Sequence, residues 1–522
     1  MRSTFHSLET VKRALFTQQA ALSTTGQNIA NANTAGYSRQ IVNMQATRPI
    51  EAPGMTHSTI PGQLGTGVEF TSITRVREQF LDTQYRNQNM DTGNWTFQAS
   101  ALDKLEAIFN EPSDTGLRSL MDKFWTSWSD LSKDPENVTG RKIVRENALA
   151  LADTFNLTSK QLSDMKSDLT ANIGTKANQI NTYLSNIADL NQQITRISAY
   201  GDNANDLMDQ RDLLTDKLSQ LVNITVTDSP QGYNISMGGV ELLNGFNAAT
   251  VDAAGLEAAF AGGNGGDLRS GEVYGMLVAR DTYVTQYQQQ LDTLANSLAN
   301  GEFTVTLPAG TVLPNGITLD GVTYNDTNRK LASDLTVKIH GVNELHKLGY
   351  TMKDPVTTGV DFFTSKDGGP ITAASLTLNK IIQDSPDAIA TSMRTDGTPE
   401  KVVPGNNTLA LIMSNLKDTK FTFVSPDGST PVVGRGTIDD FYQSVIGQLG
   451  VQSENAQRQV ENQNSLLANI DNQRQSVSGV SLDEEMSNLI KFQHAYSAAA
   501  RAMTAYDEIL DKVINGMGIV GR

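Results

Sequence analysis

SLDEEMSNLIKFQHAYSAAARAMTAYDEILDKVING, residues 481–516, is the stretch whose period decides the architecture. Leu489, Tyr496, Met503 and Leu510 recur every seven residues, and Phe492, Ala499, Tyr506 and Val513 fill the position three residues later. All eight sites are apolar. A strict seven-residue repeat marks a narrow helical seam of the coiled-coil kind. The ends of the segment are marked too. Ser481 and Glu484 form a capping-box pattern, and Asp483, Glu484 and Glu485 suit the positive end of a helix dipole. Lys512 falls in the last turn, and Gly516 can stop the helix. The spacing predicts a helix over Leu482 to Asn515, with His494 facing away from the seam.

The opening segment carries a weaker version of the same pattern. Leu8, Leu15, Leu22 and Ile29 are seven apart, with Val11 between the first two. Ala14, Ala20 and Ala21 widen the stripe, whereas Gln18 and Thr25 interrupt it. Two readings of these seams stand side by side. They are core faces of an ordinary bundle, or they pack on each other and then on further copies of the chain. The flanks are rich in Ala, Ser, Thr, Asn and Gln, so little area is buried without neighbours. Residues 1–40 carry four positive charges and one negative, and residues 481–522 carry four and six. Opposite net signs favour pairing, a small contribution under screening.

Working inward, proline maps the rest. Ten of the 15 prolines lie between Pro230 and Pro431, and none precedes Pro49, falls between Pro135 and Pro230, or follows Pro431. Proline costs a helix interior about 3 kcal/mol, so the gaps are where long helices fit. A run of apolar sites from Val144 through Leu151, Phe155, Leu162, Leu169, Ile173 and Ile180 to Ile194 predicts a helix over about 140–198, with a stutter at Leu169–Ile173–Ala177. A second long helix is expected over Thr437 to Val477, packing beside it. In the middle, Gln231–Gly245 and Phe303–Tyr324 alternate around Asn315-Gly316 and Asp320-Gly321 and read as short strands and hairpins. The fold class is therefore multidomain: long α-helical, coiled-coil-like bundles formed by both termini, with an inserted β-rich region. The expected division is 1–60 with 479–522, 61–223 with 405–478, and 224–404.

Composition narrows the function. The 522 residues carry a net charge of −16 with no Lys/Arg run, which argues against nucleic acid as a partner. There is no cysteine, so disulfides, thiol catalysis and Cys-based metal sites are excluded. No signal-peptide pattern opens the chain, and no run approaches the ~18–20 apolar residues that cross a bilayer. None of His6, His57, His340, His346 and His494 sits in a zinc-protease motif, and Walker and nucleophile-elbow patterns are absent. Gly262–Gly266 reads as a loop, and Asp202–Asp212 (DNANDLMDQRD) as a helix start with surface charges, since it lacks the glycine and glutamate of an EF-hand loop. His346 reads as a structural hydrogen-bonder. No catalytic residue, cofactor or metal site is expected.

The segment from Leu22 to Arg39 (LSTTGQNIANANTAGYSR) resembles the N-terminal signature of flagellar axial proteins, the rod, hook and hook-associated family. Asn31, Asn33, Gly36 and Tyr37 match its most specific positions, while Ala35 stands where the family commonly has proline. Asn and Gly there suit a helix stop and a tight turn, with Tyr37 as an anchor. Ser478–Met486 with Leu489–Tyr496 and Ala498–Met503 is similar to the matching C-terminal signature. These ends are shared by all members. The interior is similar to the hook-associated members at the hook–filament junction: Met1–Pro61, Gly65–Val68, Arg75–Asp82, Asn110–Leu117, Phe124-Trp125, Asn205–Leu213, Gly271–Asp281, Tyr287–Leu298, Leu345 through Phe363, and Gly436–Val480. Gly301–Lys338 interrupts a helix that in many relatives runs on towards Asn343.

The resemblance implies a structural, non-enzymatic protein of the flagellum outside the cell, exported by the type III route without a cleaved signal. It implies a terminal-helix domain at the inner tube and a β-rich outer domain. It implies a homo-oligomer in the flagellar axis, in contact with hook protein and with a second junction protein (hook-associated protein 3), and a FlgN-type export chaperone on the C-terminal helix, with no nucleic acid and no membrane as partner. The assembly interface is then expected at Leu8, Val11, Leu15, Leu22, Ile29, Leu489, Phe492, Tyr496, Ala499, Met503, Tyr506, Leu510 and Val513. The alternatives are a hook or rod axial protein, or a secreted adhesin-like binding protein.

Overall fold

The computed structural model describes residues 5–49, 65–262, 266–353, 355–426 and 431–515. Long helices form where proline is missing. The expected helices appear at Val138–Ala199, Ile438–Ser478 and Leu482–Asn515. Gly516 and residues 263–265 lie outside the described residues. Close packing divides the chain into two units: Met1–Trp95 with Ile173–Gly275 and Gln459–Arg522, and Thr96–Asn172 with Met276–Arg458.

In the first unit, α1 (His6–Ala30) is followed by an antiparallel pair, β1 (Gln40–Ala46) and β2 (Val68–Arg75), in register from Gln40↔Arg75 to Ala46↔Val68. The apolar repeat of the N-terminal segment gives no sign of this pair. It is covered by the most buried stripe of α1, Thr17, Ala21, Thr24 and Asn28, whose side chains are small and, apart from Ala21, polar. Thr17 donates from Oγ1 to the Val68 carbonyl (3.4 Å). The helix Leu482–Asn515 packs along α1. α2 (Gln79–Phe109) begins here, and α3 (Leu117–Lys133) belongs to the other unit. The second half of α4 (Val138–Ala199) and α5 (Asn205–Leu221) form the centre of the first unit.

Ile173, Ile180, Leu184 and Ile187 of α4 are buried, as their spacing predicts. Full burial of each such side chain stabilises by about 1.5–3 kcal/mol. A meander of β3 (Thr225–Ser229), β4 (Gly232–Met237), β5 (Val240–Asn244) and Asn247–Ala248 completes the unit. Asn191 of α4 pins that sheet: its Nδ2 donates to the carbonyls of Tyr233 (3.1 Å) and Gly245 (2.7 Å), and its Oδ1 accepts from the Tyr233 N–H.

The second unit is built on aromatic packing. Phe124 of α3 meets Phe362 and Phe363, and Trp128 meets Phe362, with ring centroids 5.7–5.9 Å apart. The helix Ile438–Ser478 hydrogen-bonds to α2 through Gln457 and Asp103 (3.0 Å), and to the helix Thr285–Asn300 through Gln452 and Tyr287 (2.7 Å). The segment after Asn300 leaves the helical path as a β excursion. Strand Glu302–Leu307 pairs antiparallel with Leu335–His340, and Ile317–Leu319 with Val322–Tyr324 around the expected Asp320-Gly321 turn. The excursion closes where the Gly341 N–H donates to the Gly301 carbonyl (2.8 Å). Gly341 has φ +64°, and a Cβ there would lie 2.0 Å from the Ala299 carbonyl oxygen. This close approach lets the helical path resume at once after the inserted strands.

His346 is fully buried in this unit, as a hydrogen-bonder rather than a ligand. Its Nδ1 meets the Val360 carbonyl at 2.5 Å, and its Nε2 accepts from the Ala390 N–H at 2.9 Å. His494 is exposed, as its place off the seam requires.

Candidate assembly surface at the chain ends

α1 stops at Asn31, whose Nδ2 and backbone N–H both donate to the Gln27 carbonyl. The chain then turns through Thr34 and Gly36. Gly36 has φ +81° and a Cβ there would crowd Leu213 at 3.0 Å, so only glycine fits without strain. Asn33 is exposed within the turn. Tyr37 anchors the turn by donating its hydroxyl to Asn28 Oδ1 (2.8 Å). Burial, with Asp206, Asp209 and Glu485 nearby, pushes the Tyr37 hydroxyl above its ordinary pKa, so it remains a donor.

Asn28, 1% exposed, joins three segments. Its Nδ2 donates to the Gln40 carbonyl (2.9 Å) and to Glu485 Oε2 (3.1 Å), and its Oδ1 also accepts from the Gln40 N–H (3.0 Å). Arg39 completes the junction. It donates from Nε to Glu485 (2.8 Å), from its two terminal nitrogens to Glu484 (2.8 and 3.0 Å), and from its backbone N–H to the Ser478 carbonyl (2.8 Å). The capping-box role expected of Glu484 is thus displaced: its carboxylate binds Arg39 of another segment.

Beneath the turn lies a ladder of buried ion pairs. The Ser38 N–H and hydroxyl donate to Asp209 (2.9 and 2.7 Å). Arg75 reaches Asp209 and Asp212 (2.7 and 2.8 Å), and Arg86 reaches Asp212 and Asp216 (3.2 and 2.8 Å). Arg77 holds Asp82 at 2.7 Å and stands 3.4 Å from Asp212. Arg474 holds Asp216 at 2.6 Å. Burial alone would raise the Asp212 carboxyl, but Arg77, Arg75 and Arg86 overcome it and hold that group well below the usual carboxylate range. The surface-charge reading of Asp202–Asp212 is therefore corrected. Asp202 and Asp206 are exposed, but Asp209 and Asp212 are buried, because the steps 209, 212 and 216 put three carboxylates on the inward face of α5.

The seams show a different environment. Leu8, Val11, Leu15, Leu22 and Ile29 are half-buried, as are Leu489, Phe492, Ala499, Met503 and Leu510. Tyr496, Tyr506 and Val513 are exposed. Among the described residues of the C-terminal helix only Glu485 is buried. Leu482, seven residues before Leu489, extends the repeat and is half exposed, and the seven-residue reading misses open apolar side chains beside the seam: Met486 and Ile490 near its start, and Ile509 and Ile514 near its end, each at least half exposed. Among the described residues no three His, Asp or Glu converge to hold a metal, and no helix is long and apolar enough to cross a membrane.

Comparison with known proteins fits this arrangement. The model "Flagellar hook-associated protein FlgK helical domain" matches residues 102–305. At the ends, "Flagella basal body rod protein" matches 8–37 and "Flagellar basal body rod FlgEFG protein C-terminal" matches 470–516. The chain is 36% identical to flagellar hook-associated protein 1 of Bacillus subtilis, covering 100% of both chains. It is 27% identical to the protein of that name in Escherichia coli, over 95% of this chain and 97% of the relative. A solved structure of the flagellar hook junction protein FlgK from Burkholderia pseudomallei aligns with a TM-score of 0.49 at 15% identity, over 77% of this chain and 100% of that one. The rod-type models account only for the shared ends, whereas the interior model and the full-length relatives select one member. The chain belongs to the flagellar hook-associated protein 1 family.

Proposed function

We propose that this chain is a structural subunit of the flagellar axis that polymerises at the joint between hook and filament, with residues 1–60 and 479–522 as its assembly domain. One observation carries the reading. The C-terminal helix spans 34 residues with Glu485 alone buried among those described, and it leaves large apolar side chains half exposed on both sides of its seam. Such a helix gains its missing burial from neighbours. The expected interface residues from Leu8 to Ile29 and from Leu489 to Val513 are then closed by adjacent subunits, the hook protein on one side and the second junction protein on the other. Before assembly the same strip suits an export chaperone of the FlgN type, and export proceeds by the type III route without a cleaved signal. The residues 61–223 with 405–478, and 224–404, form the long-helix and β-rich domains. The role is mechanical and needs no catalytic group.

The test is genetic and direct. A strain lacking the chain is expected to build hooks without filaments and to release filament subunits into the medium, and returning the gene restores filaments. Filaments that stay attached in its absence overturn the reading.

A further inference from the structure

The seam between α1 and the C-terminal helix is repetitive, and repetition leaves register ambiguous. Leu8, Leu15, Leu22 and Ile29 are equivalent under a seven-residue shift, and so are Leu489, Tyr496, Met503 and Leu510. A slide of one repeat, about 10 Å along the axis, replaces each apolar contact with another of the same kind. Something else has to fix the pairing.

We propose that Asn28, Glu485 and Arg39 form a register lock for the terminal helix pair. Glu485 is 2% exposed, in a helix whose other described residues are half-buried or exposed. One of its oxygens accepts from Asn28 and the other from Arg39. Asn28 is saturated by Tyr37, Gln40 and Glu485 together, so it can accept no substitute partner without breaking a bond. A slide of seven residues towards the C-terminus brings Phe492 to Asn28, and leaves the Asn28 amide and the Arg39 guanidinium facing a ring. A buried polar group without its partner is penalised whatever the apolar seam tolerates, so one polar contact selects one register out of several. The helices diverge in chain direction from this point, α1 towards lower numbers and the C-terminal helix towards higher, so the pair is antiparallel and the lock sits at its closed end. Asn28, Arg39 and Glu485 are thus positioning residues. The lock acts within one chain and holds whether or not the open strip docks on neighbours.

The chain has no cysteine, so two introduced ones carry spin labels without background. Ser23→Cys and Ser497→Cys place labels on exposed positions of the two helices. In the full-length monomer, electron–electron distance measurement is expected to give one narrow distance. Glu485→Leu is expected to add a second population displaced by up to about 10 Å, and Glu485→Gln, which keeps the side-chain length but only one of the two acceptors, to add a smaller one. Asn28→Leu with Glu485→Leu is expected to behave as Glu485→Leu does. Should the double variant lose its helix signal, the single variant decides. An unchanged narrow distance in Glu485→Leu overturns the lock. So does a broad distribution in the unmutated pair, a result that leaves the assembly role untouched.

Discussion

Arg75 Nη1 lies 2.8 Å from Asp212 Oδ2, and the Asp212 side chain is 1% exposed. This pair ties strand β2 to helix α5, segments more than 130 residues apart in sequence, and it shares Asp212 with Arg77 and Arg86. A buried pair of this kind gains little over an apolar substitute, but removing one partner leaves charge stranded. Asp212→Ala is expected to destabilise the first unit by about 3–5 kcal/mol, because three guanidinium groups lose a shared counter-charge. Asp202→Ala, ten residues earlier and exposed, is expected to change stability by less than about 0.5 kcal/mol. Thermal unfolding followed by circular dichroism compares the two. Equal effects contradict the buried ladder.

The same units are expected to respond to acid at different pH. His346 is neutral in the fold: its Nε2 accepts from the Ala390 N–H, and a proton there would set donor against donor. Burial, with Arg141 nearby, lowers its pKa to about 4 from 6.5. The unfolded chain therefore binds this proton first as pH falls. Stability is complete above about pH 6.5 and is lost progressively down to about pH 4, by about 3 kcal/mol for that shift. Asp212 is depressed, so its contribution persists until pH falls below the ordinary carboxylate value near 4 and is lost beneath it. Urea unfolding of the second unit between pH 4 and 7, read from the Trp125 and Trp128 fluorescence, is expected to show the His346 slope, and His346→Gln to abolish it. A slope that survives His346→Gln assigns the effect elsewhere.

These two cases mark what a sequence discloses. The long helices are legible because proline is absent from their spans and apolar side chains repeat at the helical period, so Ile173, Ile180 and Ile187 announce their own burial. The ion-pair ladder is not legible in that way. Asp209, Asp212, Arg75 and Arg474 each look like solvent-facing charge, and only the fold brings their distant segments together. A faint signal existed in the 209, 212, 216 spacing, which places the three acids on one face of α5. The buried stripe of α1 is hidden for a related reason. Thr17 and Asn28 bury through hydrogen bonds with β1, β2 and the turn, Thr24 is buried on the same side of the helix, and none of the three belongs to an apolar repeat. The motif residues Gly36 and Tyr37 behave as their chemistry suggests, one permitting the turn and the other tethering it. What they tether to is Asn28 beside Glu485, a pair 457 residues apart that only the fold brings together.

A buried cation without an acid gives a further expectation. Arg141 is fully buried, and its guanidinium donates to the carbonyl of Pro135 (2.7 Å), the hydroxyl of Thr391 (2.7 Å) and the carbonyl of Ile389. Burial lowers its pKa to about 10, still leaving it charged at neutral pH. It fastens the 389–391 segment to the start of α4 by geometry that a lysine cannot copy, since one ammonium cannot span three acceptors at fork spacing. Arg141→Lys is expected to cost about 2 kcal/mol, and Arg141→Met about 3 kcal/mol by stranding all three acceptors. Hydrogen exchange at the Thr391 amide and at Leu409, which donates to the Thr391 carbonyl, is expected to rise in both variants. Protection unchanged at those amides contradicts the role of Arg141.

The assembly seam can be attacked without touching the buried ion pairs or the aromatic cluster. Leu489 is half-buried on the C-terminal helix, one turn past Glu485, where a charge meets an apolar strip and no cation of the lock reaches it. Leu489→Asp is expected to cost at least about 2 kcal/mol at each subunit contact that buries the position, a penalty paid again at every neighbour in a polymer. The ion-pair ladder and the aromatic cluster of Phe124 and Phe362 contain no seam residue, so the second unit is expected to melt within about 1 kcal/mol of the parent, and the first unit to lose only the part of its stability that comes from the packing of the C-terminal helix on α1. Cells carrying Leu489→Asp are expected to make the protein, export it and fail to hold filaments, with filament subunits appearing in the medium. Ser497→Asp, an equally charged change on an exposed face of the same helix, serves as the control for charge alone. If Leu489→Asp cells swim normally, the seam through Leu489, Phe492 and Met503 is not where subunits meet, and the open residues Met486 and Ile490 become the strip to test instead.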